Sequence, residues 1–330
     1  EGYSHHAFSA VFPGFSKDES TYIRNLAGQF RLRLHETIPD DIGLAEDISK
    51  LMFHQEEPFS SASVYAQFKV FQLAAGQKIK VLLDGQGADE TLGGYTRYTH
   101  WYLQELIGRN RFKEASAEAE LFRSNEFLPS WNWVNYLAAK MPSLTASQLE
   151  KRAKRKQRQN ADIDHRYLDD NLVGGFIYKP VVEKLNDILY FDTRQGPLHE
   201  LLRYADRNSM AHGTEVRLPF LYHELVEFVF SLPSSFRMKS GYTKWILRKS
   251  MEKKLPEEIV WRKGKTGFEP PQQNWMRNSV VQQNIRESMT KLVDLKILNS
   301  SVLKREIHAT SAFSENNQDW RYWMAGLLFD

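Results

Sequence analysis

A glycine-spaced loop with two carboxylates follows a short apolar run. Residues 79–83 are rich in branched side chains and predict a buried strand, and the sequence continues as Asp-Gly-Gln-Gly-Ala-Asp-Glu over residues 84–90. Ligands of open parallel sheets bind beyond the carboxyl ends of the strands. Gly85 and Gly87 let the backbone approach a ligand, and Asp89 offers the oxygen atoms that suit Mg²⁺. The alternative is a tight turn in which Asp89 caps the next helix.

An acid and a base lie close together later in the chain. Residues 198–213 predict a helix that ends at a glycine and leads into residues 214–221. Glu215 and Arg217 are two positions apart, so in an extended segment they face the same side. Both a functional role and an ion pair that anchors the helix to the sheet fit this pattern.

A basic loop at residues 261–271 contains Lys265 between two glycines. Lysines flanked by glycine suit phosphate or pyrophosphate, where negative charge develops on a leaving group. Trp261 and Phe268, near its two ends, are expected to anchor the loop. A solvated loop without function is the alternative.

Composition sets limits on these possibilities. The chain has 330 residues, 42% of them hydrophobic, a net charge of +3 and no cysteine. Disulfides, thiolate metal sites and a cysteine nucleophile within the chain are thus excluded, and a cytoplasmic location is expected. No apolar run reaches the length of about 18 residues that suggests a membrane span. The basic run at residues 151–158 has no interleaved aromatic residues, so a solvated helix face or a mobile connection is favoured over a nucleic-acid patch.

The order of elements predicts an α/β fold. Strands at residues 7–12, 32–38 and 79–83 alternate with helices, which indicates a parallel sheet with right-handed crossovers. Further helices are predicted at residues 101–107, 112–122, 134–137 and 181–189. We therefore expect a parallel nucleotide-binding part at residues 1–100 and a mainly helical part at residues 101–330. Three strands are few for such a sheet, and an N-terminal truncation is expected.

Three motifs together resemble the synthetase domain of the glutamine-dependent asparagine synthetases. The loop at residues 84–90 and the following Gly-Gly-Tyr at residues 93–95 match that family's Ser-Gly-Glu-Gly-Ser-Asp-Glu loop and its Gly-Gly-Tyr. Residues 209–221 match a Ser-Met…Glu-x-Arg-x-Pro-Phe-Leu segment, and residues 265–268 match a Lys-x-Gly-Phe loop. The similarity runs from about residue 8 to residue 323.

The resemblance implies an ATP pyrophosphatase core, related to the adenine-nucleotide hydrolases, and a defined chemistry. ATP would activate the aspartate side-chain carboxylate as β-aspartyl-AMP and release pyrophosphate, and ammonia would then attack. By analogy Asp89 is the Mg²⁺ ligand, Lys265 stabilises charge on the phosphates, and Glu215 orients or deprotonates groups near the acyl centre. The implied nucleotide contacts are Leu83, Gly85, Ala10 and Phe12. A glutaminase domain of the full-length chain is the expected partner, and a homodimer is considered.

Departures from the family pattern bear on activity. The family's Ser-Gly-Gly-Leu-Asp-Ser-Ser pyrophosphate loop and its glutaminase domain are absent from the sequence. We therefore expect this chain alone not to turn over ATP. Gln86 stands where the family usually has a glutamate that handles the ammonia proton, and a neutral amide cannot accept a proton. Tyr222 replaces the usual aspartate, a milder change.

Two alternatives therefore stay open. One is a related adenylating enzyme with another acyl substrate, as in the β-lactam synthetases and lasso-peptide cyclases. The other is a non-catalytic module that binds nucleic acid or a protein through residues 151–158.

Overall fold

The computed structural model describes residues 5–128, 131, 133–141, 143, 151, 155, 160–171 and 180–329. The strands in this part of the chain are β1 (His6–Ala10), β2 (Arg33–Thr37), β3 (Val81–Leu83) and β4 (Glu215–Arg217). The α-helices are Ser20–Gln29, Asp41–Gln55, Ser63–Gly76, Ala88–Leu92, Tyr98–Gly108, Phe112–Ser124, Trp133–Lys140, His165–Asn171, Leu185–Arg194, Leu198–Met210, His223–Ser231, Trp245–Met251, Glu257–Val260, Gln272–Trp275, Ser279–Asp294 and Gln318–Gly326. Short 3-10 helices lie at Pro219–Leu221, Ser234–Phe236, Ser300–Lys304 and Leu327–Phe329.

The predicted α/β class is confirmed, but the described strands form two separate pairs. β1 runs parallel to β2, and β3 runs parallel to β4. The expectation of one sheet made by three strands of the first hundred residues is therefore wrong. β4 lies far along the chain from β3. It contains Glu215 and Arg217, so the segment expected to be extended is a strand, and it pairs with β3.

The strand predicted within residues 79–83 is confirmed, but the prediction that it is buried is wrong. β3 is three residues long, and its end residues Val81 and Leu83 are 41% and 75% exposed. Successive side chains of a strand point to opposite faces, so these two share one face of the sheet. That face is left open by the described part of the chain.

Two apolar clusters make most of the core. One joins helices Asp41–Gln55 and Ser63–Gly76 to the C-terminal helices Ser279–Asp294 and Gln318–Gly326, with Trp320 and Trp323 among its buried side chains. The second lies among three further helices, Tyr98–Gly108, Phe112–Ser124 and Leu185–Arg194. The first cluster thus contains residues from both predicted parts of the chain, and the division at residue 100 stays a prediction.

Local sequence patterns predict some helix ends correctly and others incorrectly. The Ser-Lys-Asp-Glu sequence at residues 16–19 is a capping-box pattern that predicts the start of a helix. The helix begins at Ser20, because Asp18 is held in the preceding turn by the backbone N–H of Phe12, at 3.0 Å. From the sequence, Ser61 or Ser63 is expected to cap the next helix and Gly76 to end it. Neither serine caps the helix Ser63–Gly76, since their hydroxyls bond each other at 2.7 Å, whereas the predicted stop at Gly76 is confirmed.

Three further predictions concern the helix at residues 181–189, the basic run at residues 151–158 and membrane-spanning helices. The helix expected at residues 181–189 begins only at Leu185. Apart from Lys151 and Arg155, the basic run at residues 151–158 lies outside the described residues. None of the helices in the described ranges combines the length and apolarity that crossing a membrane requires.

Candidate active site

The loop after β3 carries the predicted site residues. The N–H of Asp84 donates to Arg217 O at 3.0 Å, which continues the pairing of β3 with β4 into the loop. Burial raises the pKa of the Asp84 carboxyl, and the N–H groups of Gly85 and Gln86 partly offset that effect. Gly87 has φ of 84°, and the side chain of Leu221 fills the space that a Cβ would need, so only glycine fits.

Gly85 differs from Gly87. It is exposed, its φ is not positive, and no atom lies within 4 Å of the position of a Cβ. The loop backbone at Gly85 is therefore open to a ligand, which is the property that the sequence prediction requires.

Asp89 lies between two lysines. Its Oδ1 is 2.5 Å from Nζ of Lys244, and its Oδ2 is 3.0 Å from Nζ of Lys265. The Asp89 side chain is 18% exposed. Burial alone would raise the pKa of Asp89, but the two ammonium groups outweigh burial and lower it. Two cations that share one carboxylate leave a surplus of positive charge, which suits a phosphate ligand.

Lys244 was not predicted from the sequence. It precedes the helix Trp245–Met251 at the N-cap and has a left-handed backbone, with φ of 52° and ψ of 35°. Such a conformation is uncommon for a residue other than glycine, and a cation is disfavoured at a helix N-terminus. The Asp89 carboxylate compensates for this electrostatic misfit, and no motif in the sequence around Lys244 indicated its role.

Gly94 explains why the Gly-Gly-Tyr motif follows the loop. A Cβ at this position would overlap Oδ1 of Asp89 and Cε of Lys244, and the Gly94 N–H donates to Asp89 O at 2.8 Å. The neighbouring Gly93 ends the helix Ala88–Leu92 with φ of 74°. The glycine pair therefore gives the Asp89–Lys244 ion pair the room that it occupies.

Tyr95 connects a buried acid to the second lysine. Its hydroxyl donates to Oε1 of Glu90 at 2.7 Å, and Glu90 is only 1% exposed. Burial raises the pKa of both Glu90 and Tyr95. The Tyr95 ring lies 5.8 Å from Nζ of Lys265, within the range of a cation–π contact. The motif residues thus hold one of the cations as well as the carboxylate.

The lysine loop is anchored at both ends by aromatic residues, as the sequence predicts. Trp261 packs against Tyr242 and Trp245, with ring centroids 5.0 and 5.5 Å apart. Phe268 lies 6.5 Å from Phe12, which follows β1. The loop therefore connects the β1 end to the Asp89 loop that follows β3.

The remaining predicted nucleotide contacts are differently placed. Ala10 and Phe12 are buried, and the Phe12 N–H is already bonded to Asp18, whereas Leu83 is largely exposed. Their contacts with a nucleotide stay a prediction.

Glu215 is not brought to the lysines. Its Oε1 lies 2.7 Å from Nε of Arg217, and more than half of each side chain is exposed. The spacing argument is confirmed, because the two residues share one side of β4. The ion pair, however, joins them to each other and not the helix to the sheet. The catalytic role of Glu215 stays a prediction.

The fit to Mg²⁺ depends on a phosphate partner. Among the described residues no group of three His, Cys, Asp or Glu side chains is placed to hold a metal ion. Asp89 is a single carboxylate whose oxygens both contact lysines, so a bare cation would have to displace them. Mg²⁺ that arrives with phosphates fits better, since the phosphates would take the lysines and supply most of the metal's ligands.

The fold and the site define an α/β protein with two lysines gathered on one carboxylate beside a glycine loop. A family comparison identifies its class more closely. The family model described as asparagine synthase matches residues 3–328, so the chain belongs to the asparagine synthase family.

Individual relatives are more distant. The chain is 26% identical over 266 residues to asparagine synthetase [glutamine-hydrolyzing] 1 of Bacillus subtilis, covering 74% of this chain and 39% of that protein. It is 30% identical over 172 residues to the Homo sapiens asparagine synthetase [glutamine-hydrolyzing], covering 47% of this chain and 30% of that protein. The Gallus gallus enzyme is 34% identical over 133 residues, with 38% and 23% covered. The chain thus matches well under half the length of these relatives.

Proposed function

We propose that this chain carries the synthetase chemistry of its family, the ATP-dependent conversion of aspartate and ammonia to asparagine, AMP and pyrophosphate. The observation that carries the proposal is the Asp89 carboxylate held between Lys244 and Lys265, in a chain that belongs to the asparagine synthase family. In the full-length polypeptide, glutamine would supply the ammonia through a glutaminase domain.

The first half-reaction is an adenylation. An oxygen of the aspartate side-chain carboxylate attacks the α-phosphorus of ATP, the bond from that phosphorus to the bridging oxygen breaks, and pyrophosphate leaves. Negative charge then accumulates on the departing phosphates. Lys244 and Lys265 would stabilise this charge, and they are held in place beforehand, which lowers the reorganisation needed during the reaction.

The second half-reaction forms the amide. The nitrogen of ammonia attacks the activated carbonyl carbon, AMP leaves with the bonding electrons, and the nitrogen loses a proton. Gln86 cannot accept that proton, so another base or water must do so. Glu215 is our candidate for orienting or deprotonating groups there.

Mg²⁺ and ATP are the proposed cofactors. Asp89 would hold the metal together with phosphate oxygens, and the metal would neutralise charge on the phosphates. Gly85, Leu83, Ala10 and Phe12 would contact the nucleotide, of which Gly85 has the most open backbone.

A second candidate shares the adenylation but differs in the acyl substrate or the amine, as in β-lactam synthetases and lasso-peptide cyclases. Gln86 keeps it open, because an amide at this position cannot accept the proton that ammonia loses. The Gln86 Oε1 is also buried and finds no hydrogen-bond partner in the described part of the chain. An amide with an unused acceptor beside the site suits a ligand that donates a hydrogen bond.

Product analysis tests both candidates. The chain and the full-length polypeptide that contains it are incubated with MgATP and ammonia, with and without aspartate, and AMP, pyrophosphate and asparagine are measured. Asparagine that appears only with aspartate supports the first candidate. Pyrophosphate release that aspartate does not stimulate supports the second, and no nucleotide turnover by the full-length polypeptide overturns both.

A further inference from the structure

The two site lysines, Lys244 and Lys265, come from different segments of the chain. Lys244 directly precedes the helix Trp245–Met251, whereas Lys265 lies in the loop that follows Val260, yet both Nζ atoms contact Asp89. Both ammonium groups reach one carboxylate only while the two backbone segments stay close together. The structure contains a residue that does this.

Arg248 donates hydrogen bonds to both segments. Its Nε donates to Thr243 O at 2.7 Å, directly before Lys244. Its Nη1 donates to Val260 O at 2.5 Å and to Arg262 O at 3.1 Å, shortly before Lys265. A planar guanidinium with fixed donor directions joins these carbonyls in one geometry, which the single ammonium of a lysine could not reproduce.

The environment of Arg248 keeps the guanidinium in this position. It lies over the rings of Tyr242 and Phe127, at 5.1 and 5.5 Å from their centroids. Burial lowers the pKa of Arg248, but an arginine stays charged at every physiological pH. A charged group in this half-buried place is costly without its three carbonyl partners, so the contacts are maintained.

A second link reinforces the first. Nδ2 of Asn125 donates to Gly241 O at 3.2 Å, while Asn125 O accepts from the Gly264 N–H at 2.9 Å. Gly241 and Gly264 precede the two lysines by three residues and one residue. The end of helix Phe112–Ser124 therefore also fixes the distance between the two segments.

We propose that Arg248 is a positioning residue that holds the Lys244 and Lys265 segments together, so that one pyrophosphate group meets both ammonium groups at once. The inference rests on the proposed function, in which the lysines bind the phosphates of ATP. Two cations held at a fixed spacing bind a two-phosphate ligand more tightly than two independent ones, since the second contact is intramolecular.

Calorimetric titration with inorganic pyrophosphate tests the proposal on Arg248→Met, Arg248→Lys and a matched control. The control is Arg286→Met, because Arg286 also donates to three carbonyls, those of Val302, Leu303 and Arg305, in the helical C-terminal core. We expect the affinity to fall about tenfold in Arg248→Met, to fall less in Arg248→Lys, and to stay unchanged in Arg286→Met. Hydrogen exchange at the Gly264 amide should accelerate in the Arg248 variants alone.

The outcomes separate the positioning role from the proposed function. Unchanged pyrophosphate affinity in a folded Arg248→Met variant overturns the positioning role and leaves the function standing. If Arg248→Met does not fold, the same comparison on Arg248→Lys decides. No binding of pyrophosphate by either the unaltered chain or the full-length polypeptide that contains it overturns the proposed function, and the positioning role with it. Equal losses in the Arg248 and Arg286 variants mean a general stability effect and also overturn the positioning role.

Discussion

Nζ of Lys265 lies 3.0 Å from Oδ2 of Asp89, and Lys244 contacts the other oxygen of the same carboxylate. Asp89 therefore occupies the place beside the lysines that we assign to phosphate. A bound phosphate would have to compete with the carboxylate for the ammonium groups, and an Asp89 that held Mg²⁺ would compete less.

Asp89→Asn should change pyrophosphate binding in opposite directions with and without Mg²⁺. Without the metal, removal of the competing negative charge should raise the affinity about tenfold, or ~1.4 kcal/mol. Addition of Mg²⁺ should raise the pyrophosphate affinity of the unaltered chain, and it should not raise that of the variant. Calorimetry with and without a chelator measures both. Reduced metal-free affinity in the variant would contradict the competition between carboxylate and phosphate.

Gly94→Ala should impair the site while leaving the fold nearly intact. The added Cβ overlaps the ends of the Asp89 and Lys244 side chains, which can rotate away and take the ion pair with them. The expected free energy of unfolding changes by less than ~1 kcal/mol, whereas pyrophosphate affinity falls. Gly326→Ala is the contrasting control, because its Cβ would lie 2.7 Å from Cα of Ser288, and overpacking there should cost about 1–3 kcal/mol.

Urea unfolding together with pyrophosphate titration measures these two variants. A Gly94→Ala chain that keeps full affinity, or loses as much stability as Gly326→Ala, would show that Gly94 is a packing residue only.

Tyr95→Phe should destabilise the chain more at alkaline than at acidic pH. Burial raises the pKa of Glu90, and the Tyr95 hydroxyl partly offsets this by bonding the carboxylate. Without the hydroxyl, the ionised form of Glu90 is less stable, so the pKa of Glu90 rises further. The free energy of unfolding of the variant therefore decreases as pH rises through that pKa. The expected loss is about 1–3 kcal/mol at pH 8 and less at pH 5. Urea unfolding at the two pH values measures these losses. Equal losses of unfolding free energy at pH 5 and pH 8 would argue against the coupling of Tyr95 to Glu90.

His212 should make stability depend on pH in mildly acidic solution. Burial and the nearby positive charges of Lys50, His54 and Lys69 lower the pKa of His212 to about 4 from its ordinary 6.5, and its Nε2 is buried without a hydrogen-bond partner in the described residues. Between these values the unfolded chain binds the extra proton and the folded chain does not. The contribution of neutral His212 to the free energy of unfolding is therefore fully present above pH 6.5 and decreases as pH falls towards 4.

The variant His212→Phe removes this titration and keeps a ring against Phe68, whose centroid lies 4.4 Å from that of His212. Its free energy of unfolding should decrease less between pH 7 and pH 5 than that of the unaltered chain. Identical slopes would assign the acid sensitivity to other groups.

Sequence reasoning located one half of the ion-pair cluster and missed the other. Asp89 and Lys265 lie in short segments whose glycines and charges show their chemistry locally, and the structure brings these two together. Lys244 has no such motif around it. Its position depends on contacts far along the chain, from Arg248 and Asn125, and on a backbone conformation that no local propensity favours.

The sheet shows the same limit. The strands near His6–Ala10 and Arg33–Thr37 could be predicted from apolar runs between helices, and they pair in parallel. β4 has three residues, and its extended form comes from pairing with β3 rather than from β-branched composition. Exposure of Val81 and Leu83 could not be predicted, because an apolar sequence does not reveal whether another element covers it.

Titration of MgATP into the unaltered chain and into Lys265→Met tests most directly the claim that the Asp89 cluster binds nucleotide phosphates. Lys69→Met is the matched control, since Lys69 also forms a partly buried ion pair, at 2.9 Å with Asp47, and is no part of the cluster. We predict a loss of about tenfold or more in affinity for Lys265→Met and none for Lys69→Met. Equal affinities for all three proteins, or no binding by either this chain or the full-length polypeptide, would contradict the account.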